Sequence, residues 1–406
     1  MNGFFRLSMT VMLLCLMNVP LSFCGIIFSN RSSSMAVLPS GKIYLAQTDS
    51  IKGWSRESIV QSVGNNSPFD WDPSWTGNNI VTYATAPVPD LPKNPGDIIL
   101  QTYFYELTED LFLGPNRNLI IEPSENSNFT FINGNGYAIN LAEGFQNLIR
   151  IAPGQTVEIG NAVIKNYDEF GIYFGLGSSL SFLNSAIEIT DNRTFSKPLN
   201  FSGEVSINGY GYTAIFNPSS GINITTGQLS INNLTLYGVH GQNVRSLNDS
   251  CNLILQNCTL FLTGDYRFKK GGLQMIDSKI SGFHGFNYES SLTCSISRTV
   301  TLDTGVTFSY SPTTTNNRDL IYMDSSSRFY LNGCTLSSSV TGMRLTTGTL
   351  IVDGQNQISN DGALSASQAI MFGTGDASKN LSVEILPGGI LDLTSGILVY
   401  ANANIS

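Results

Sequence analysis

The residues in this sequence best suited to proton transfer or metal binding are its two histidines. Each follows a Gly-x pair and precedes a glycine, in Gly-Val-His-Gly at residues 238–241 and Gly-Phe-His-Gly at residues 282–285. An imidazole can transfer protons near neutral pH or bind a metal ion. Acid–base catalysis also needs a partner within about 3 Å of the transferred proton, and no carboxylate stands at a fixed offset from both histidines. A duplicated turn is therefore favoured over a functional pair, and His240 and His284 are only candidate binding residues.

Carboxylates are the other candidates for chemistry, because hydrolysis of a polysaccharide needs two carboxyl groups roughly 5–9.5 Å apart. In this sequence the carboxylates are dispersed along the chain and form no short motif. This distribution favours solvated side chains over a catalytic pair. No spacing is typical of a metal site either, so the sequence predicts no catalytic residue, no metal and no cofactor. The carboxylates considered are Asp168, Glu169, Glu188, Asp191, Asp265, Asp277, Asp353 and Asp361.

Four of the six cysteines lie beyond the N-terminal segment, at Cys251, Cys258, Cys294 and Cys334. Cys258 and Cys334 occupy equivalent repeat positions, but several coils separate them, which exceeds the reach of about 7 Å for a disulfide. Small buried side chains are the favoured interpretation. A bridge that involves Cys294 is left open.

The elements that must position these residues are indicated by a repeat. Eight segments share apolar residues at offsets 0 and 2, an Asn, Asp or Gly at offset 4 and, in all but one, an apolar residue at offset 7. The first six start 23, 25, 24, 24 and 20 residues apart, a period typical of solenoids. The eight segments start at Val157, Leu180, Val205, Leu229, Leu253, Leu273, Phe329 and Leu350.

This repeat predicts an all-β fold, a single-stranded right-handed parallel β-helix. Alternating apolar residues make each segment a strand with one buried face, and offset 4 is a corner because Asn, Asp and Gly tolerate a left-handed backbone. Equivalent strands would then pair between coils about 4.8 Å apart. The alternative is a β-sandwich, which needs no fixed period or corner residue. The predicted corner ladder is Asn161, Asn184, Gly209, Asn233, Asn257, Asp277, Gly333 and Gly354.

The chain is expected to have three parts. Residues 1–24 combine Arg6 with an apolar stretch over residues 7–19 and a small-x-small cleavage site before Gly25, as in an export signal. Residues 25–118 lack the repeat and hold all three tryptophans, so they are assigned to an N-terminal extension and the cap that an open solenoid end needs. Residues 119–406 form the β-helix.

The N-terminal segment predicts a secreted, cell-surface or outer-membrane protein. Its apolar stretch is shorter than the roughly 20 residues of a membrane span, and no other segment is long enough for one. Residues 21–24 resemble a bacterial lipobox, but Phe23 stands where a small residue is expected. Lipid attachment at Cys24 is therefore the less favoured alternative to release.

The charge balance limits the class of partner. The formal net charge is −9, and charged residues make up only 13% of the chain. An acidic protein without a basic patch is poorly suited to bind nucleic acid or an anionic membrane surface. A surface glycan or a partner protein remains the expected ligand.

The segment Ile132-Asn133-Gly134-Asn135-Gly136, with coils such as residues 229–236, resembles the pectin-lyase-like right-handed β-helix superfamily. The resemblance covers roughly residues 119–400 and is closer to bacterial surface and adhesin-type members than to enzymes. It implies a structural, adhesive or glycan-binding role. The alternative is a polysaccharide-active hydrolase or lyase. Against it, the sequence contains no Asn-Thr-Asp, no Asp-Asp pair and no Arg-Ile-Lys of the kind that polygalacturonase-like enzymes use, and Arg267-Phe268-Lys269 matches only the Arg-x-Lys spacing.

Overall fold

The computed structural model describes residues 34–37, 43–46, 94–123, 127–376, 379 and 381–401. The chain divides into two compact units, Met1–Ala84 and Thr85–Ser406. The predicted export signal, residues 1–24, lies outside the described residues, as does most of the predicted extension. In the first unit β1 (Ser34–Val37) pairs with β2 (Ile43–Ala46) in antiparallel orientation.

The second unit is a parallel β-solenoid of about 12 turns, which confirms the predicted fold class. Its strands pair almost entirely with the equivalent strands of neighbouring coils. The only helices among the described residues are two short 3-10 turns, η1 (Glu169–Gly171) and η2 (Ala366–Gln368). This architecture follows from the alternating apolar residues, because each coil can bury its apolar face only against its neighbours.

Two sheets run along the first half of the solenoid. The first sheet has four strands, β3 (Ile98–Leu100), β6 (Leu119–Ile121), β9 (Ile149–Ile151) and β12 (Ile172–Phe174). The second has seven, β4 (Phe104–Glu106), β7 (Phe129–Asn133), β10 (Thr156–Gly160), β13 (Ser179–Leu183), β16 (Pro198–Ser202), β19 (Gly221–Ile224) and β22 (Val244–Ser246).

A third, continuous set of pairings runs the length of the solenoid, and a small fourth sheet lies near its C-terminal end. The third set begins with β5 (Leu111–Leu113), β8 (Ala138–Leu141), β11 (Val163–Lys165), β14 (Ala186–Glu188), β15 (Arg193–Phe195), β17 (Glu204–Asn208), β18 (Thr213–Phe216), β20 (Gln228–Asn232), β21 (Thr235–Gly241), β23 (Asn252–Gln256) and β24 (Thr259–Phe268). It continues with β25 (Gly272–Ser281), β26 (Gly285–Tyr288), β27 (Cys294–Leu302), β28 (Thr307–Tyr310), β29 (Ile321–Met323), β30 (Arg328–Asn332), β31 (Thr335–Ser338), β33 (Gly348–Asp353), β34 (Gln355–Ser359), β36 (Leu381–Ile385) and β37 (Ile390–Ser395). The fourth sheet is β32 (Met343–Leu345), β35 (Ile370–Phe372) and β38 (Leu398–Tyr400).

The first described coil begins at Ile98, ahead of residue 119, where the repeat placed the start of the β-helix. Ile98–Leu100 pairs with Leu119–Ile121 in parallel register, and β4 and β5 open the other two sheets. These three-residue strands are too short to show the alternation by which the repeat was recognised.

The core is one continuous column of apolar side chains. Aromatic rings stack from coil to coil inside it. The Phe268 and Tyr288 ring centroids lie 5.8 Å apart, and the Phe286 and Phe308 centroids lie 5.5 Å apart. Such stacked pairs add roughly 0.5–1.5 kcal/mol beyond the buried area. The in-register pairing of coils therefore carries a side-chain ladder as well as backbone hydrogen bonds.

The corner prediction is confirmed locally. Seven of the eight predicted positions have a positive φ, between 46° at Asn184 and 66° at Gly354. At Gly209 the neighbouring Tyr210 takes the left-handed conformation instead, with φ 50°. The residue types at offset 4 therefore do mark the places where the chain turns.

The single ladder predicted through all eight corners is wrong. Leu180 does not align with Val205, because the neighbouring Phe182 pairs with Phe201, and Phe329 aligns with Val300 rather than with Leu273. The positions therefore fall at three different corners of the coil. The first corner holds Asn161 and Asn184, the second Gly209, Asn233, Asn257 and Asp277, and the third Gly333 and Gly354.

The last described coil leaves part of its core-facing side exposed. Ile385 lies under the fully buried Val352, yet 57% of its surface is exposed. Leu393 lies under Ile358 and is 42% exposed. A coil with a neighbour on one side only covers only half of its apolar surface.

Candidate functional site

The two histidines lie in one column but not in contact. Gly264 belongs to the coil between them, and a Cβ atom there would lie 3.1 Å from the Cβ of His240. Nδ1 of His240 lies 2.8 Å from the Gly238 carbonyl oxygen, and the backbone N–H of Gly285, next to His284, donates to Asp265 at 2.8 Å. The half-buried His240 is thus held by its own turn, whereas the contact beside the half-buried His284 is made by the backbone of Gly285.

Beside this column, a solvent-facing strip of threonine, isoleucine and aromatic side chains without Asp, Glu, Lys or Arg follows three coils. We call it the aromatic–hydroxyl face. Its first column is Thr213, Thr235 and Thr259, and its second is Ile215, Tyr237 and Phe261. The alternation of β18, β21 and β24 directs these side chains outward, because the residues between them are buried. The Tyr237 and Phe261 rings stack at 4.9 Å, and Tyr237 is 41% exposed.

The pairing of strands between coils is interrupted where the first sheet ends, at β12. In the next coil β15 pairs with β18, and β12 keeps β9 as its one strand partner. A cavity of about 300 Å³ lies between β12 and β15 and includes Glu169, Phe170 and Lys197 in its lining. We call this cavity the sheet break. Its other lining residues are Gln146, Asn147, Ile172, Tyr173, Phe174, Thr194, Ser196 and Asn217.

Near the sheet break the structure brings together carboxylates that the sequence analysis treated as dispersed. Asp168 Oδ2 and Asp191 Oδ2 both contact Nη1 of Arg193, at 3.2 and 3.4 Å. Glu169 lies beside them, and its Oε2 accepts hydrogen bonds from the backbone N–H groups of Ser196 at 2.5 Å and Lys197 at 3.2 Å. The hydroxyl of Ser196 donates to the other oxygen, Oε1.

All three carboxylates are engaged by donors of the same chain, Asp168 and Asp191 by Arg193 and Glu169 by Ser196 and Lys197. Only Glu169 of the three lines the cavity. Its position therefore does not provide the two opposed carboxyl groups that glycoside hydrolysis requires.

The other carboxylates considered also have structural partners. Asp277 contacts Nη1 of Arg298 at 3.0 Å, and Asp265 accepts from Gly285. The Arg267 of the Arg-x-Lys segment is engaged by Glu289, with Nε at 2.5 Å and Nη2 at 3.0 Å from the two oxygens. The remaining three, Glu188, Asp353 and Asp361, accept hydrogen bonds from Tyr210, Tyr330 and Ser395.

The four described cysteines are free and buried, as the sequence analysis favoured. Burial raises the pKa of Cys258 to about 11 and the pKa values of Cys294 and Cys334 to about 12. Protonated, inaccessible thiols behave as small apolar residues and not as nucleophiles. They contribute to the core and not to a site.

Within the described ranges, no group of three or more His, Cys, Asp and Glu side chains is placed to hold a metal ion. No helix in the described part of the chain is long and apolar enough to cross a membrane. Comparison of the chain with protein-family models, curated proteins and solved structures finds no match. The geometry of the solenoid surface is therefore the basis for assigning a function.

Proposed function

We propose that this protein is an exported, surface-exposed β-helix of the pectin-lyase-like kind that binds a glycan without cleaving it. The aromatic–hydroxyl face carries the proposal. Threonine hydroxyls recur there at the coil spacing of about 4.8 Å, beside the ring pair of Tyr237 and Phe261. Hydroxyls exchange hydrogen bonds with sugar hydroxyls, and aromatic rings pack on the apolar C–H surface of a pyranose.

The repetition of this face favours a polymer over a single sugar. Thr213, Thr235 and Thr259 are stacked in register over three coils, so a chain lying along the solenoid axis meets the same group repeatedly. Each contact is weak, and several contacts on one ligand add through a high effective concentration. A repeating surface glycan has the matching symmetry.

The test is a glycan array probed with purified protein, followed by affinity measurements on the strongest glycan. Tyr237→Ala should weaken binding by at least about tenfold, which corresponds to about 1.4 kcal/mol. The matched control is Tyr322→Ala, another exposed tyrosine on a strand outside the face, which should bind normally. His240→Ala and His284→Ala should stay within a few-fold. Equal losses at Tyr237 and Tyr322 would refute the assignment of the face.

A polysaccharide-active enzyme is the second candidate, because Asp168 and Asp191 converge on Arg193. The same glycans should be incubated with the protein and examined for depolymerisation. Binding without new chain ends supports the non-catalytic proposal. Release of fragments that stops in Asp168→Asn and in Asp191→Asn would establish the enzyme instead.

Export is part of the proposal and rests on residues 1–24. N-terminal sequencing of protein purified from its host should begin near Gly25. A chain that keeps Met1 would contradict export, and a lipid mass increment on Cys24 would replace release by membrane anchoring.

A further inference from the structure

The sheet break has a property that the glycan proposal does not use. Everywhere else along this side of the coil, one strand pairs with the next, but β12 and β15 face each other without pairing. An unpaired strand edge is a template for another extended chain. Here two such edges, both running in the same direction, border one cavity.

The orientation of the backbone groups follows from the hydrogen bonds on the other side of each strand. Gly175 N–H donates to the Ile151 carbonyl of β9, and backbone groups alternate in direction along a strand. The C=O group of Ile172 and the N–H and C=O groups of Phe174 therefore point into the sheet break, whereas the N–H of Ile172 donates to the Glu169 carbonyl oxygen at the end of η1. On the opposite side the Phe195 carbonyl accepts from Asn217, so the backbone groups of Thr194 point into the break.

At one end of the sheet break, the side chain of Glu169 replaces the hydrogen-bond acceptors of a neighbouring strand. Its carboxylate accepts the N–H groups of Ser196 and Lys197, which a neighbouring strand's carbonyl would otherwise accept. The backbone groups of Thr194 and Phe174 and the carbonyl of Ile172 receive no such substitute among the described residues. The end of the break is closed by a side chain, whereas its middle is open.

We propose that the sheet break binds an extended peptide segment of a partner protein, which inserts between β12 and β15 as a parallel strand. An extended peptide is the one ligand that offers alternating donors and acceptors on both edges at strand spacing. The exposed ring of Phe170 and the rings of Tyr173 and Phe174 line the cavity and suit an apolar side chain. Lys197 lines it too, which favours an acidic residue at that end of the peptide.

The experiment is selection of a phage-displayed random dodecapeptide library on the immobilised full chain. Selected peptides should bind at least tenfold more weakly to Phe170→Ala. The matched control is Phe112→Ala, because Phe170 and Phe112 are 64% and 61% exposed and only Phe170 lines the break. Absence of any enriched peptide, or equal losses in the two variants, would overturn the proposal.

Hydrogen exchange on the unmodified protein tests the mode of binding. A selected peptide should slow exchange of the Phe174 and Thr194 amides at least tenfold. It should leave the Tyr173 amide unchanged, because that amide already faces β9. N-methylation of every second peptide residue should abolish binding whichever alternate set is methylated, because successive N–H groups face β12 and β15 in turn. A peptide that still binds after either set is methylated, or a glycan that protects these amides instead, would also overturn the proposal.

The peptide and glycan proposals fail separately. Tyr237→Ala removes a ring of the aromatic–hydroxyl face and should leave peptide binding intact, whereas Phe170→Ala should leave glycan binding intact. Loss of both activities in either variant would show that the two sites are not independent.

Discussion

The left-handed corners make a quantitative prediction at Asn233. This residue has φ 50° and an exposed side chain. Leucine in a left-handed conformation clashes through its Cβ and side chain, at a cost of roughly 1–2 kcal/mol, whereas Asn tolerates the conformation. An exposed leucine gains no burial to compensate. Asn233→Leu should therefore lower the free energy of unfolding by about 1–2 kcal/mol.

The neighbouring Asn232 supplies a matched control. It carries the same side chain, but it lies inside β20, pairs with Asn208 and Gln256, and has no positive φ. Asn232→Leu should change stability by no more than about 0.5 kcal/mol. Asn233→Gly should cost only a few tenths, because glycine adopts the left-handed region without strain.

Thermal unfolding followed by far-ultraviolet circular dichroism is the assay. One kcal/mol corresponds to roughly 2–4 °C in Tm for a domain of 150–250 residues. Wild type, Asn233→Gly and Asn232→Leu should have similar Tm values, and Asn233→Leu should have the lowest Tm. If Asn232→Leu and Asn233→Leu unfold at the same temperature, backbone strain is not what selects the corner residue.

Two further predictions concern titratable groups. Burial raises the pKa values of the four core thiols, Cys251, Cys258, Cys294 and Cys334. A maleimide at pH 8 should therefore label them at least tenfold more slowly in native protein than in urea, as measured by mass spectrometry. Fast labelling of the native protein would contradict the packing of these cysteines. Burial acts to raise the pKa of Asp303, but hydrogen bonds and charge from Lys279, 2.6 Å away, outweigh it and lower the pKa. A lowered pKa contributes stability above the unfolded value of about 3.9 that is lost as pH falls through the folded value. Asp303→Asn should therefore lose up to about 1 kcal/mol at pH 6 and little at pH 3, whereas the exposed Asp249→Asn should show no such difference in Tm.

The repeat predicted where the chain turns but not which turns stack. After Leu180 the true equivalent is Leu199, and Leu199, Phe201 and Gly203 satisfy offsets 0, 2 and 4. Offset 7 from Leu199 is Ser206, so the pattern selected Val205 instead, at the next corner. Asn, Asp and Gly recur at all three kinds of corner for the same steric reason, so residue type alone cannot distinguish one corner from another.

The second error has a different cause. The coil after Leu273 continues at Cys294, and its corner residue is Arg298, with φ 56°. Arginine is not a residue that favours this conformation, and its guanidinium is held by Asp277 at 3.0 Å. A tertiary contact therefore maintains a corner that no local preference indicates.

The sheet break could not be predicted from sequence. It depends on whether β15 pairs with β12 as well as with β18, and the residues involved lie about 20 apart in the chain. The one local signal is Asp168, whose side chain caps the 3-10 turn η1 by accepting the N–H of Phe170 at 3.0 Å. Interpreting Asp168 as a solvated carboxylate missed both this cap and its ion pair with Arg193.

The sheet break also affects how the solenoid unfolds. In a stack of coils, stability is close to a sum of coil terms and nearest-neighbour terms. Between the coils of β12 and β15, only the pairs β13–β16 and β14–β17 cross from one coil to the next. The coupling here is one strand pair weaker than between the coils that precede it, so the N-terminal coils and the rest should separate into two cooperative transitions. A strand bound in the break would join them into one.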